Sequence, residues 1–249
     1  MAGAPRIAVL GGAGGIGRAL VEGLKADGAE VAVLDLSVTL SRHPVPAGVT
    51  QIELDLADDA SVAAGFATLA EGMPALEGFV NLAGFMSERR PLEAVPTADL
   101  DEVLRGNLRG AVVAAQAALP LLRRGRAPSL VNAASGLAAN IRPGFGPYAM
   151  AKAGIIALTK TLALECAPAV RVNAVCPGAV DTAFLRGGTG RSDEAGDPHV
   201  DVPTYVAAIP MQRLAATEDV VGPIRFLLSE ASAYMTGQCL WINGGAYMP

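Results

Sequence analysis

The sequence of 249 residues has few of the side chains that form disulfides and metal sites. Its three cysteines, Cys166, Cys176 and Cys239, are odd in number and include no Cys-x-x-Cys pair. This argues against a disulfide framework or a zinc site, and it fits a reducing compartment. Neither of the two histidines, His43 and His199, has a second histidine, a cysteine or a carboxylate at the spacing of metal ligands. We therefore expect no metal site.

Basic charge and long apolar runs are also scarce. The sequence has 19 lysines and arginines against 24 acidic residues and no basic stripe, which argues against nucleic acid or an anionic membrane as a partner. No apolar stretch is long enough to span a bilayer, and the N-terminus lacks the features of a secretion signal. We expect a soluble, cytoplasmic protein whose partner is a small molecule.

What the sequence does contain is an alternation of short β-branched runs with longer alanine- and leucine-rich segments. The first six runs are nearly continuously apolar, which is typical of a parallel sheet covered by helices on both faces. The pattern predicts an α/β fold in which residues 1–249 form one Rossmann-type domain, a three-layer α/β/α doubly wound parallel sheet of about seven strands. The predicted strands are 6–10, 30–35, 50–54, 78–81, 129–134, 171–175 and 238–242, and the predicted helices are 16–27, 58–71, 98–123, 148–166 and 217–229.

A glycine-rich loop joins the first predicted strand to the first predicted helix. It contains Gly11, Gly14, Gly15, Ile16 and Gly17. Glycines allow a tight turn and a close approach of the backbone to a pyrophosphate, which the free N–H groups of the helix N-terminus attract. Such loops also occur in structural turns, but the strand before it and the helix after it favour a dinucleotide site.

Asp35 ends the second predicted strand, about twenty residues after the glycine loop. A carboxylate there can accept hydrogen bonds from a ribose hydroxyl and would repel a 2′-phosphate. Leu36 follows, and no lysine or arginine adjoins it in the sequence. Although Asp35 alone would equally suit a solvated strand end, the combination predicts NAD in preference to NADP.

Small and polar residues also follow the third and fourth predicted strands. Asp55 and Leu56 close the third, where the aspartate could contact the adenine amino group. Asn81, Ala83 and Gly84 close the fourth, where small residues let the backbone lie against a cofactor. Each is an ordinary turn residue. Their placement at successive strand ends predicts that they bind the cofactor.

Tyr148 and Lys152 are four residues apart on one predicted helix, and Ser135 lies thirteen residues before the tyrosine. Residues at this spacing share a helix face, so the phenol and the ammonium can point at one spot. The ammonium, together with the positive nicotinamide of NAD⁺, is expected to lower the pKa of the phenol. Tyr148 would then be a proton donor and acceptor for alcohol–ketone chemistry. Ser135 could hold the substrate oxygen. Tyr-x-x-x-Lys is by itself a common helical pattern; the glycine loop, Asp35 and Ser135 give it weight.

With these motifs, the sequence resembles the short-chain dehydrogenase/reductase family from Gly11 to Gly245. The resemblance implies that Asn107 joins Ser135, Tyr148 and Lys152 in a catalytic tetrad, bending its helix and holding a water on a proton path. It also implies that Lys152 bonds the nicotinamide ribose. The segment after the sixth strand resembles the one that supports the nicotinamide, which adds to the cofactor residues Pro177, Gly178, Val180 and Thr182. A homotetramer is also implied.

The substrate site is expected to be mostly apolar. The candidate residues are Phe85, Leu137, Ile141, Phe145, Phe184 and Tyr205, with a lid at about 184–213 that includes Met211. The lid contains a glycine- and proline-rich stretch, 186–203, typical of a functional or disordered loop. The sequence predicts an NAD-dependent oxidoreductase that interconverts a secondary alcohol and a ketone. A 3-oxoacyl thioester reductase remains open, as does an NAD-binding sensor or scaffold without turnover, although such a protein would be expected to lose part of the tetrad. A dehalogenase-like lyase would not need the glycine loop.

Overall fold

Seven strands form a single sheet in the computed structural model, which describes residues 3–192, 194–198 and 200–249. They are β1 Arg6–Leu10, β2 Glu30–Asp35, β3 Thr50–Glu53, β4 Gly78–Asn81, β5 Ser129–Ala133, β6 Arg171–Pro177 and β7 Cys239–Ile242. The strand order is β3-β2-β1-β4-β5-β6-β7, and every neighbouring pair is parallel. The order changes direction between β1 and β4, so their carboxyl ends open a crevice in which ligands of such sheets bind. The predicted doubly wound fold is confirmed.

Helices cover both faces of the sheet because successive strand residues point to opposite sides. From β1, Ala8 and Leu10 pack with α3 and α5 on one face, whereas Ile7 and Val9 pack with α1 and α8 on the other. The helices of the described residues are α1 Gly15–Ala26, α2 Ser37–Arg42, α3 Asp59–Gly72, α4 Thr97–Leu104, α5 Gly110–Leu122, α6 Gly146–Cys166, α7 Val202–Ala207 and α8 Thr217–Leu228. In this part of the chain, none of them combines the length and apolarity needed to cross a membrane.

The structure corrects three features of the predicted element pattern. The helix predicted at 98–123 is divided, since a π-helical turn, Arg105–Arg109, lies between α4 and α5. The third strand is not an apolar run: β3 is at the edge of the sheet, and only Ile52 of its four residues is buried. The short helices α2 and α7 were not predicted, because each lies in a stretch too short to display a helical period.

Candidate active site

One cavity at the carboxyl ends of the strands gathers most of the predicted site residues. Its volume is about 510 Å³, and it extends from Asp35 to Ser135 and Tyr148. Every predicted cofactor residue except Asn81 lines it. Of the predicted substrate residues, five line it and Ile141 does not.

The glycine loop lies against the turn that follows β4. Gly11 has a φ of +79°, and a Cβ there would stand 2.7 Å from the Ala83 nitrogen. A Cβ on Gly17 would overlap the Gly11 carbonyl oxygen. Gly15, Ile16 and Gly17 line the cavity at the start of α1, where amide groups have no acceptor within the helix. These donors fit a pyrophosphate.

Asp35 fixes the glycine loop to the end of β2. Its Oδ2 accepts a hydrogen bond from the Ala13 nitrogen at 3.0 Å, and its Oδ1 accepts one from the Leu36 nitrogen at 2.8 Å. Burial raises the pKa of Asp35, although these hydrogen bonds oppose the change. A carboxylate has about four lone-pair positions, so acceptor capacity remains for ribose hydroxyls.

Asn81, at the end of β4, is the predicted cofactor residue that does not line the cavity. Its side chain is buried outside the cavity, and its Oδ1 accepts a hydrogen bond from the Ala83 nitrogen at 3.2 Å. Ala83 and Gly84 themselves line the cavity. Asn81 therefore shapes the turn. Asp55, which follows the edge strand β3, does reach the cavity, while its Oδ1 accepts a hydrogen bond from the Ala57 nitrogen at 2.9 Å.

Ser135, Tyr148 and Lys152 meet at the other end of the cavity. Ser135 follows β5, and Tyr148 and Lys152 lie in the first two turns of α6. Both of these helical residues are buried, with exposed fractions of 7% and 3%. The Lys152 Nζ donates a hydrogen bond to the Ala133 carbonyl at 2.8 Å and lies 5.6 Å from the centre of the Tyr148 ring.

Burial is the largest influence on the ionisation of this pair. It raises the pKa of Tyr148 above its usual value, and only a hydrogen bond with Ser135 opposes that change. It also lowers the pKa of Lys152 to about 8. Removal from water disfavours both the phenolate and the ammonium. Burial thus opposes the expected lowering of the Tyr148 pKa by the ammonium and the nicotinamide.

Asn107 lies behind the cavity, in the π-helical turn. Its Nδ2 donates to the Phe85 and Val103 carbonyls at 3.0 Å, and its Oδ1 accepts from the Phe85 nitrogen at 3.0 Å. A Cβ on Gly84 would stand 2.7 Å from this Oδ1 and 3.2 Å from the Lys152 Nζ. Because glycine has no Cβ, Gly84 allows the Asn107 and Lys152 side chains to lie close to this turn.

The segment after β6 forms the wall opposite the glycine loop. Pro177, Gly178, Val180 and Thr182 line the cavity, and a Cβ on Gly15 would stand 2.6 Å from the Thr182 methyl carbon. The Ala179 nitrogen donates a hydrogen bond to the Tyr205 hydroxyl at 3.0 Å. This bond ties α7 to the wall.

The substrate end of the cavity is less apolar than the sequence indicates. Ile141 is 67% exposed and points away, and Met211 is 62% exposed and does not cover the site. Arginines occupy the border instead, namely Arg89, Arg142 and Arg191. Arg89 follows β4, so the rule that ligands bind at strand ends could have identified it.

Described residues of the segment predicted as a lid contact the end of α2. The Glu194 Oε2 lies 2.8 Å from the His43 Nε2, and its Oε1 accepts from the Gly190 nitrogen at 3.2 Å. Arg42 donates to the Ser192 carbonyl at 2.7 Å. The other histidine, His199, lies outside the described residues.

Comparisons with known proteins agree with this architecture. A family model described as enoyl-(acyl carrier protein) reductase matches residues 11–247. The chain is 32% identical to the 4-formylbenzenesulfonate dehydrogenase of Comamonas testosteroni, over 95% of each protein. It is 30% identical to the NADH-dependent L-xylulose reductase of Ambrosiozyma monospora, over 95% of this chain and 93% of that protein.

A solved structure has a similar fold. The ligand-free aldohexose dehydrogenase of Thermoplasma acidophilum superposes with a TM-score of 0.87 at 29% identity, over 99% of this chain and 96% of that one. By name, the relatives reported above are dehydrogenases and reductases. The similarity extends over almost the whole chain.

Proposed function

This chain belongs to the short-chain dehydrogenase/reductase family, and from that premise we propose that it is an NAD-dependent oxidoreductase that interconverts a secondary alcohol and a ketone on a small molecule. One observation carries the proposal. Ser135, Tyr148 and Lys152 meet in the cavity that the glycine loop and Asp35 line at its other end. The residues proposed for proton transfer and those proposed for dinucleotide binding therefore line the same cavity.

In this proposal each residue group has a separate task. NAD, when bound, supplies the hydride acceptor, and NADH supplies the donor. The first amides of α1 hold the pyrophosphate, Asp35 accepts hydrogen bonds from a ribose, and the segment 177–182 supports the nicotinamide. Ser135 orients the substrate oxygen, and the Tyr148 hydroxyl gives or takes the proton. Lys152 bonds the nicotinamide ribose, and Asn107 maintains the position of the turn that contains Gly84.

A substrate panel tests the proposed reaction. Secondary alcohols and ketones of several skeletons, with a 3-oxoacyl thioester among them, would be assayed with NAD(H) and NADP(H) by the absorbance of the reduced nicotinamide. We expect turnover with NAD(H) on at least one alcohol–ketone pair. NADH binding in calorimetry without any turnover would instead favour a sensor or scaffold.

The Asp35→Asn substitution tests the cofactor preference. The carboxylate repels a 2′-phosphate, so its neutral isostere is expected to raise the ratio of kcat/KM for NADP to that for NAD by about 10- to 100-fold. The NADH-dependent L-xylulose reductase among the relatives supports the preference for NAD. Asp55→Asn, at the next strand end of the same cavity, is the matched control, because it should affect both cofactors alike. An unchanged ratio in Asp35→Asn would remove the reason for naming NAD.

A further inference from the structure

Three guanidinium groups border the substrate end of the cavity, and the proposed reaction gives them no role. Arg89, Arg142 and Arg191 come from the segments after β4, β5 and β6, at the edge where parallel sheets gather ligand contacts. We propose that these arginines select a substrate with an oxyanion group, a carboxylate or a sulfonate, on an apolar skeleton. This inference rests on the proposed function, since it defines the substrate class of the same site.

Each guanidinium packs against an aromatic ring that also lines the cavity. The distances from the guanidinium carbon to the ring centre are 4.6 Å for Arg89 and Phe145, 5.6 Å for Arg142 and Tyr205, and 3.7 Å for Arg191 and Phe85. A guanidinium held at an aromatic ring keeps N–H groups available at its own edge. It also loses little further conformational freedom when it binds a carboxylate through two parallel hydrogen bonds.

Two of these arginines belong to segments that pack on each other. A Cβ built on Gly144 would lie 3.6 Å from the Arg89 Cβ and also 3.6 Å from its Nε. Gly144 lies two residues after Arg142, and the next residue is Phe145, the ring beside Arg89. Arg89 and Arg142 therefore reach the same border from two different segments. That border adjoins Ser135 and Tyr148, whose own segment carries Arg142 between them.

The charge at this border is set by its arginines and by the carboxylates that pair with them. Two carboxylates lie at it in the described part of the chain. The Glu102 Oε1 accepts a hydrogen bond from the Arg191 Nη1 at 3.2 Å, and the Asp201 oxygens accept hydrogen bonds from the Thr204 nitrogen and hydroxyl at 3.2 and 2.6 Å. Arg142 forms an ion pair with neither of them, nor with any other described carboxylate. Among the described residues, Arg142 is therefore left without a carboxylate partner, and the proposed anion contact depends most on it.

The remainder of the substrate end indicates how such a molecule would be oriented. Leu137 and Phe184 line the cavity next to Tyr148, whose ring centre is 5.9 Å from that of Phe184. An apolar skeleton fits between these side chains, with its carbonyl at Ser135 and Tyr148 and its anionic group at the arginines. If the arginines only packed on the three rings, kcat/KM for a neutral substrate of the same shape would equal kcat/KM for the anion.

Two ketones of equal shape and different charge separate these possibilities. We would measure the reduction of 4-acetylbenzoate and 4-acetylbenzamide with NADH. The expected ratio of kcat/KM, benzoate over benzamide, is at least about tenfold in the wild type, and Arg142→Gln should lower it by about 10- to 100-fold, mainly through KM. Arg142→Lys should give an intermediate ratio. Arg90→Gln is the matched control, because Arg90 pairs with Glu88 outside the cavity lining.

Binding measured without turnover distinguishes a failure of this inference from a failure of the proposed reaction. Calorimetry of the two ketones with the NADH complex of Tyr148→Phe should show the same preference for the benzoate. If the benzoate binds preferentially but the wild type reduces neither ketone, the anion site is supported and the proposed reaction is contradicted. If both ketones are reduced with equal kcat/KM, the anion site is contradicted and the proposed reaction is supported. A preference that survives both Arg142→Gln and Arg89→Gln would also overturn it.

Discussion

Tyr148→Phe is expected to lower kcat for the alcohol–ketone reaction by about 1000-fold, because it removes the group that exchanges a proton with the substrate oxygen. The packing should survive, since the Tyr148 ring contributes to an apolar cluster with Phe85, Val103 and Ala151 that a phenylalanine ring fills equally well. NADH affinity should therefore change little. Steady-state rates at saturating NADH, together with a fluorescence titration of NADH, measure both quantities.

Tyr205→Phe is the matched control for this experiment. Tyr205 lines the same cavity, but its hydroxyl is occupied as the acceptor of the Ala179 N–H. Loss of that hydroxyl removes a structural hydrogen bond, for which we expect a loss of activity of about tenfold or less. If Tyr148→Phe kept activity similar to that of Tyr205→Phe, the proton carrier would be another group.

The ionisation of Tyr148 depends on burial, which the sequence does not show. The helical spacing correctly brings Tyr148 and Lys152 into one cavity, but it carries no information about burial. Both side chains are almost completely enclosed, and desolvation raises the pKa of Tyr148 and lowers that of Lys152. The expected increase in the acidity of the phenol therefore has to overcome the cost of burial, and the positive nicotinamide of a bound NAD⁺ would contribute to that.

The sheet was predictable because parallel strands that are buried on both faces are nearly continuous apolar runs. The bounds predicted for β1, β2 and β4 are those of the structure. The π-helical turn at Asn107 could not be derived from composition, because the apolar pattern of 98–123 runs through it. Only the family resemblance, which expects Asn107 to bend its helix, indicated an irregularity there.

The cofactor end was more predictable than the substrate end for a physical reason. Residues at strand ends are placed by the sheet itself, so Asp35 and Asp55 reach the cavity as expected. Ile141 lies in an irregular segment, where an apolar side chain has no period that fixes its direction. It points to solvent, while its neighbour Arg142 lines the cavity. Apolar composition near a site is therefore a weak guide to the substrate.

Lys152→Met is expected to lower the activity and to raise the free energy of unfolding at pH 7. It removes the group that we propose bonds the nicotinamide ribose, and a loss in kcat/KM of about 100-fold is expected from the lost charged hydrogen bonds and from misplacement of the cofactor. A thioether of similar length suits the buried position better than an ammonium. Lys160→Met, an exposed position two turns further along α6, is the matched control and should alter neither property greatly.

The pH dependence of stability supplies the decisive measurement for Lys152. Burial lowers the pKa of Lys152 to about 8, from 10.5 for an exposed lysine, so between these values the unfolded chain binds more protons than the folded one. The folded state therefore carries the full cost of the ammonium below pH 8, about 3 kcal/mol, and loses that cost as the pH rises to about 10.5. After about 1 kcal/mol is deducted for the lost bond to Ala133, Lys152→Met should unfold at pH 7 with a free energy higher by on the order of 2 kcal/mol. Urea unfolding at pH 7 and at about pH 10 should show this gap narrowing, and a variant less stable than the wild type at pH 7 would contradict the assigned cost of burial.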